Sequence, residues 1–323
     1  MAAQQSRKTI TARPFPGALA EGTAAFPYSM PVPGPRGDLR YENIVYSCEP
    51  GYRPLYLDLR IPGQAGQAPL IIWIHGGGWI YGSRRRLPPH LHGNAVHDQM
   101  IEAGYAVAAV DYRLAREAGF VGMLLDVKAA IRWLRGHAAE FDIDPKRVIL
   151  WGESAGGHLA VMAGVCTKLD AVKRTGEHLE QPETPAAIVD WYGPADLTAM
   201  SELALGTDTE ESGSTADNPA AILQQHGNWT YAELSTTTYV RSDVPPMFIA
   251  HGAEDGTVPV HQSRELVDRL RTTGATVEYL EVPCADHVWR GAASVPDIVA
   301  QSLNFVGSVL RAAEGNRNDQ QAG

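Results

Sequence analysis

The strongest constraint on this chain is a series of short, uninterrupted apolar runs set between stretches with helical spacing. Pro69–Ile74 (PLIIWI) and Tyr105–Val110 (YAVAAV) contain no charged residue. Such a run marks a strand with both faces buried, because neither set of alternating side chains meets water. Val148–Trp151 (VILW), Ile188–Tyr192 and Met247–Ala250 read as strands of the same sheet, and Thr276–Val282 as the last one. Between them, Leu124–Leu134 puts Leu124, Val127, Ile131 and Leu134 on one helical face. Ala155–Val165, Val260–Thr272 and Val295–Ala312 are further helices. Strands alternating with helices predict a mostly parallel sheet covered on both faces. Asn43–Tyr46 and Leu55–Ile61 (LYLDLRI) alternate apolar and polar residues instead, so they read as half-exposed antiparallel edge strands. The expected total is about eight strands in one domain.

The 323 residues suffice for one large domain. Residues 1–40 are rich in Pro, Gly and Ala and read as an extended arm, since proline removes donors and fixes φ. The main domain is expected over residues 41–312, with a polar tail at 313–323. Residues 198–244 break the alternation and are rich in Glu, Ser, Thr and Asn. A connection this long is usually functional or carries its own short helices, so it reads as a small cap insertion.

Charge and cysteines exclude several classes. The formal net charge is -10, which repels nucleic-acid backbones and anionic membranes alike. Neither nucleic acid nor membrane is an expected partner. Cys48, Cys166 and Cys284 are far apart and match no metal-ligand spacing, so no metal and no disulfide framework is expected. Arg7, Lys8 and Arg13 are not followed by an apolar run of about 7–15 residues, so no secretory leader is expected. No apolar stretch reaches about 18 residues. The expectation is a cytoplasmic protein, with a homodimer as the prior for assembly.

One short motif carries chemistry. Gly152-Glu153-Ser154-Ala155-Gly156 follows the strand VILW and opens the helix AGGHLAVMAGV. A sharp strand–turn–helix of this kind exposes the serine hydroxyl above the sheet and aims a helix N-terminus at it. A serine hydroxyl is a weak nucleophile and needs a base oriented by a third group. The histidines after Ser154 are His158, His178, His226, His251, His261 and His287. His158 lies one helical turn on and reads as packed against the core. His178 and His226 lie in polar stretches, and His251 ends a strand. His287 follows the strand TVEYLEV in the turn Cys284–His287, the topologically favoured place for the base. Asp255, in the loop after Met247–Ala250, is the favoured acid, with Glu254 as the fallback. Asp286 is too near His287 in sequence and reads as a turn residue.

A second loop sits at the carboxyl end of a central strand, where α/β proteins bind ligands. It reads His75-Gly76-Gly77-Gly78-Trp79. Its glycines leave backbone amides accessible, and His75 reads as a brace for the loop. No Gly-Lys-Ser/Thr follows, so it is not a phosphate cradle.

Together, HGGGW, DYRL (Asp111–Leu114), WGESAGGHLA, HGAEDGTVP and ADH resemble the α/β-hydrolase carboxylesterases related to hormone-sensitive lipase. The likeness is nearest to small bacterial acetyl and feruloyl esterases and runs from about Tyr41 to Leu310. It implies an α/β-hydrolase fold with Ser154 as nucleophile, Asp255 as acid and His287 as base. It places oxyanion amides on Gly76, Gly77 and Ala155. Departures are Phe120-Val121-Gly122 where the family has a Phe-Pro segment, and Ser235–Val240 (STTTYV) where it has a proline. The expected activity is hydrolysis of a small-molecule carboxylic ester through an acyl-enzyme, without a cofactor. Trp79, Tyr81 and residues 198–244 are expected to shape the substrate pocket. An amidase such as an arylformamidase, a biosynthetic acyltransferase or lactonase, and a non-catalytic binding protein on the same fold remain alternatives.

Overall fold

The computed structural model describes residues 28–49, 51–63, 66–168, 174–200, 219–224 and 228–322. Residues 1–27 of the expected arm, residues 201–218 of the expected insertion and His226 lie outside them.

A sheet runs through the middle of the domain in the order β1-β2-β3-β5-β4-β6-β7-β8-β9. Its strands are β1 (Val32–Pro33), β2 (Leu39–Ser47), β3 (Leu55–Ile61), β4 (Ala68–Ile74), β5 (Ala106–Val110), β6 (Ile143–Glu153), β7 (Ala187–Trp191), β8 (Met247–Gly252) and β9 (Val277–Val282). β1, β2, β3 and β5 pair antiparallel, and every other pairing is parallel. The antiparallel edge expected from the alternating segments is therefore present.

Among the described residues the sheet has nine strands rather than about eight. The extra one, β1, lies in the proline-rich arm, where Val32 and Pro33 pair with Arg40 and Leu39. Proline is tolerated there because an edge strand leaves one row of backbone groups unpaired. The turn into β2 is anchored by Asp38, which is fully buried and paired with Arg40 and Arg60.

The helices are α1 (Pro89–Gly93), α2 (Val96–Glu102), α3 (Ala115–Gly136), α4 (Ala155–Val165), α5 (Pro219–Leu223), α6 (Tyr231–Leu234), α7 (His261–Thr273) and α8 (Val295–Ala322). Period-two alternation sorts the core into two layers. Leu70, Ile72, Ile74 and Leu150 pack with α3, α4 and α7, whereas Ile71, Trp73, Ile149 and Trp151 pack with α2 and α8. The predicted face of α3 is correct, since Leu124, Val127, Ile131 and Leu134 have no exposed surface. The helix itself is longer than expected and is broken at Gly119, whose φ of 61° is not helical. α8 also continues through most of the expected polar tail, where no proline stops it. In the insertion, Thr230 and Glu233 cap α6 reciprocally.

This topology sets the site. β4 leads to β5 on one side, and β6 leads to β7 on the other. Ligand crevices form at such a reversal, beyond the carboxyl ends of the strands. Ile74 and Gly152 are register partners, so the loops after β4 and β6 leave the sheet side by side.

Candidate active site

Ser154 occupies a strained turn at the end of β6, with φ 55° and ψ −124°. A non-glycine residue at positive φ is held there only by its surroundings. Its amide donates to the Trp191 carbonyl at 2.8 Å, and its carbonyl accepts from the His158 amide at 3.1 Å. The flanking glycines make the turn possible. A Cβ on Gly152 would run into the Gly156 carbonyl, and one on Gly156 into the carbonyls of Ile74 and His75.

Asp255 and His287 arrive from the neighbouring strand ends. The two loops are joined where the Glu254 amide donates to the Ala285 carbonyl at 2.9 Å. His287 Nε2 lies 2.8 Å from Ser154 Oγ, and its Nδ1 lies 2.7 Å from Asp255 Oδ2. The three residues predicted from widely separated motifs therefore form one hydrogen-bonded chain. Glu254, the fallback acid, is exposed. Asp286 serves the turn, its Oδ1 accepting from the amides of Val288 and Arg290.

Asp255 has a fully buried side chain with four donors. Oδ1 accepts from the amides of Thr257 and Val258, both at 2.8 Å, and Oδ2 from His287 and His251. Burial alone would raise its pKa, but the hydrogen bonds from His251 and His287 outweigh it. The carboxyl is held far below its ordinary value and stays ionised. The Tyr192 ring packs against His287 with centroids 4.8 Å apart. Neither His251 nor Tyr192 was singled out for this role in the sequence. The available signal was a histidine four residues before the acid.

The glycine loop departs from expectation at one position. The Gly76 amide donates to Glu153 Oε1 at 2.6 Å, so it is already engaged rather than free for an oxyanion. The amides of Gly77, Gly78 and Ala155 have no acceptor among the described residues. Gly77 has φ 109°, and its carbonyl accepts from the amides of Ile80 and Tyr81, which curls the loop. Glu153 is buried, and that burial pushes its carboxyl up to about 8 against the pull of the Gly76 amide. His75 braces the loop as expected. Its Nδ1–H donates to the Gly76 carbonyl at 2.7 Å, its ring stacks on Tyr112, and its carbonyl accepts from the Tyr112 hydroxyl at 2.9 Å.

The two expected pocket aromatics differ. Trp79 is only 3% exposed, and its indole N–H donates to His158 Nδ1 at 3.2 Å. It is packed inward, against the expectation that it lines the pocket, because the loop turns its side chain back over α4. Tyr81 is 70% exposed. His158 donates from Nε2 to the Leu234 carbonyl at 2.7 Å, and burial lowers its pKa to about 4. Both nitrogens are thus occupied by a neutral ring, and His158 belongs to the core.

Among the described residues, no group of three or more His, Cys, Asp or Glu could hold a metal ion, and no helix is long and apolar enough to cross a membrane.

Comparison with known proteins identifies the family. The profile of the BD-FAE family matches residues 57–270. The esterase LipQ of Mycobacterium tuberculosis is 31% identical over 303 residues, covering 90% of this chain and 68% of LipQ. The probable carboxylic ester hydrolase LipM of the same organism is 30% identical, covering 80% of this chain and 60% of LipM. The chain thus spans less than the full length of these relatives. Among solved structures, a truncated carbohydrate esterase from gut microbiota superposes with a TM-score of 0.69 at 26% identity, over 83% of this chain and 96% of that one. A thermophilic esterase from Thermogutta terrifontis superposes with a TM-score of 0.62 at 25% identity, over 85% of this chain and 90% of that one. The chain belongs to the BD-FAE family and is an α/β-hydrolase of the carboxylesterase type.

Proposed function

We propose that this protein hydrolyses carboxylic esters through a covalent acyl-enzyme on Ser154. The observation that carries the reading is the chain Ser154 Oγ–His287–Asp255, with contacts of 2.8 and 2.7 Å. His287 Nε2 takes the hydroxyl proton as Oγ adds to the ester carbonyl, and Asp255 stabilises the imidazolium and fixes its tautomer. The tetrahedral oxyanion lies against the amides of Gly77, Gly78 and Ala155, each worth about 3 kcal/mol in the transition state. The imidazolium then gives its proton to the departing alkoxide, which leaves as the alcohol. Water, deprotonated by His287, attacks the acyl-enzyme, and the carboxylic acid departs with Ser154 restored. No cofactor enters the scheme.

The relatives are named for ester hydrolysis, which favours this reading over amidase or acyl-transfer chemistry on the same triad. Ser154→Ala tests it. The variant should keep the circular-dichroism spectrum and Tm of the wild type and lose hydrolysis of p-nitrophenyl acetate by at least about a thousandfold. Retention of activity would refute the assignment. A panel of acetyl, butyryl, octanoyl and feruloyl esters, with N-formylkynurenine as the amide, then defines the substrate.

A further inference from the structure

Asp255 is shared by two imidazoles. His287 reaches Oδ2 from the solvent side at 2.7 Å, and His251 reaches the same oxygen from the core at 3.0 Å. His251 is the penultimate residue of β8 and has no exposed surface. Its Nε2 also lies 2.8 Å from the Val258 carbonyl. Both neighbours of Nε2 are pure acceptors, a carboxylate oxygen and a carbonyl, so this nitrogen carries a proton. Nδ1 lies 2.7 Å from the hydroxyl of Ser263, in the first turn of α7 and fully buried as well. In the neutral ring Nδ1 accepts from that hydroxyl. The two acceptors at Nε2 therefore fix the tautomer that points an N–H at the acid, and Ser263 steadies the ring from its other side.

The placement matters because the two carboxylate oxygens are held differently. Backbone amides pin Oδ1. Apart from the catalytic base itself, His251 is the donor on Oδ2. A carboxylate held at one oxygen can still swing about its Cβ–Cγ bond, and Oδ2 would then drift from His287.

We propose that His251, steadied by Ser263, is a positioning residue that locks Asp255 Oδ2 beneath His287. The inference rests on the triad reading above. Its kinetic signature has a definite sign. Without the His251 donor Oδ2 drifts from His287, the imidazolium loses its carboxylate partner, and the acid limb of kcat/KM moves to lower pH. The other ionisable groups around the pair come from several elements. Asp190 on β7 and Glu281 on β9 act on His251. Glu153 and Asp286 act on Tyr192, whose ring lies against His287. All remain in place in the variants below.

The experiment compares His251→Leu, His251→Gln and Ser263→Ala with wild type, using Tm, kcat, KM and the pH profile of kcat/KM on p-nitrophenyl acetate. His251→Leu should lower kcat about tenfold, the scale of one hydrogen bond to a charged group, with little change in KM and the acid limb shifted to lower pH. His251→Gln keeps an N–H at the ε position and should recover most of kcat and the wild-type limb. Ser263→Ala removes the ring's second anchor and should fall between the two. A folded His251→Leu protein with wild-type kcat and acid limb overturns the proposal, as does a Gln variant no better than Leu. If His251→Leu does not fold, an unchanged acid limb in Ser263→Ala overturns it. Failure of the triad reading itself is a separate result, activity surviving in Ser154→Ala.

Discussion

The Gly76 amide donates to the buried carboxyl of Glu153 at 2.6 Å, tying the glycine loop to the residue just before Ser154. Burial raises this carboxyl from its usual 4.5 to about 8, so it is neutral at pH 7 in the folded protein. In the unfolded chain it ionises near 4.5. The native state therefore binds the extra proton between about 4.5 and 8, and its contribution to stability falls as pH rises through that window. Glu153→Gln keeps an acceptor for Gly76 without the titration. Relative to wild type, its Tm should be unchanged near pH 4 and higher by several degrees at pH 9. The variant should also keep activity above pH 8, where an ionised Glu153 would oppose the developing oxyanion. Parallel pH dependence of Tm in both proteins would contradict this.

The elbow depends on close approach between the first turn of α4 and the end of β4. A methyl group on Gly156 would meet the carbonyls of Ile74 and His75. Gly156→Ala should therefore push the Ser154 turn off the end of β4. A displacement of this kind lowers kcat/KM by about a hundredfold or more. Kinetics on the folded fraction, measured beside a thermal melt, check the expectation.

His158 is the histidine nearest Ser154 in sequence, yet it bridges Trp79 and the Leu234 carbonyl inside the core. His158→Leu leaves both partners unsatisfied and should destabilise the fold by about 2–4 kcal/mol in urea titration. The pH profile of the surviving enzyme should match wild type. A changed acid limb would give His158 a role in the chemistry.

Arg113 and Asp126 form a buried pair, with Arg113 Nη2 2.7 Å from Asp126 Oδ1 and the Arg113 amide 2.8 Å from Oδ2. The pair fastens the loop after β5 to α3. Asp126→Ala strands a buried guanidinium and should cost about 3–5 kcal/mol of stability. The paired change Arg113→Met with Asp126→Leu should cost less than Asp126→Ala alone, because no charge is left uncompensated.

Much of this was legible in the residues. Continuous apolar runs identified β4 and β5, because a strand buried on both faces has no polar side to show. The helical face of α3 followed from spacing alone. Ser154, Asp255 and His287 were legible because each sits in a short motif right after a strand. What escaped notice depended on contacts between distant segments. Glu153 looks like one charged residue in a glycine motif until Gly76 is brought against it. His251 looks like the end of a strand until Ser263 and Asp255 close around it. Trp79 follows the glycine loop, and only its bond to His158 turns it inward. α1 and α2 were missed because His, Pro and Asn obscure their short apolar faces, while β1 pairs through backbone that composition does not reveal.

The most direct test of the account is acid-quenched peptide mapping of the enzyme during turnover of p-nitrophenyl acetate. The account predicts an acetyl group on the peptide containing Ser154, formed with a stoichiometric burst of p-nitrophenolate and absent from Ser154→Ala. Turnover with no acetyl adduct, or with the adduct on another residue, would contradict it.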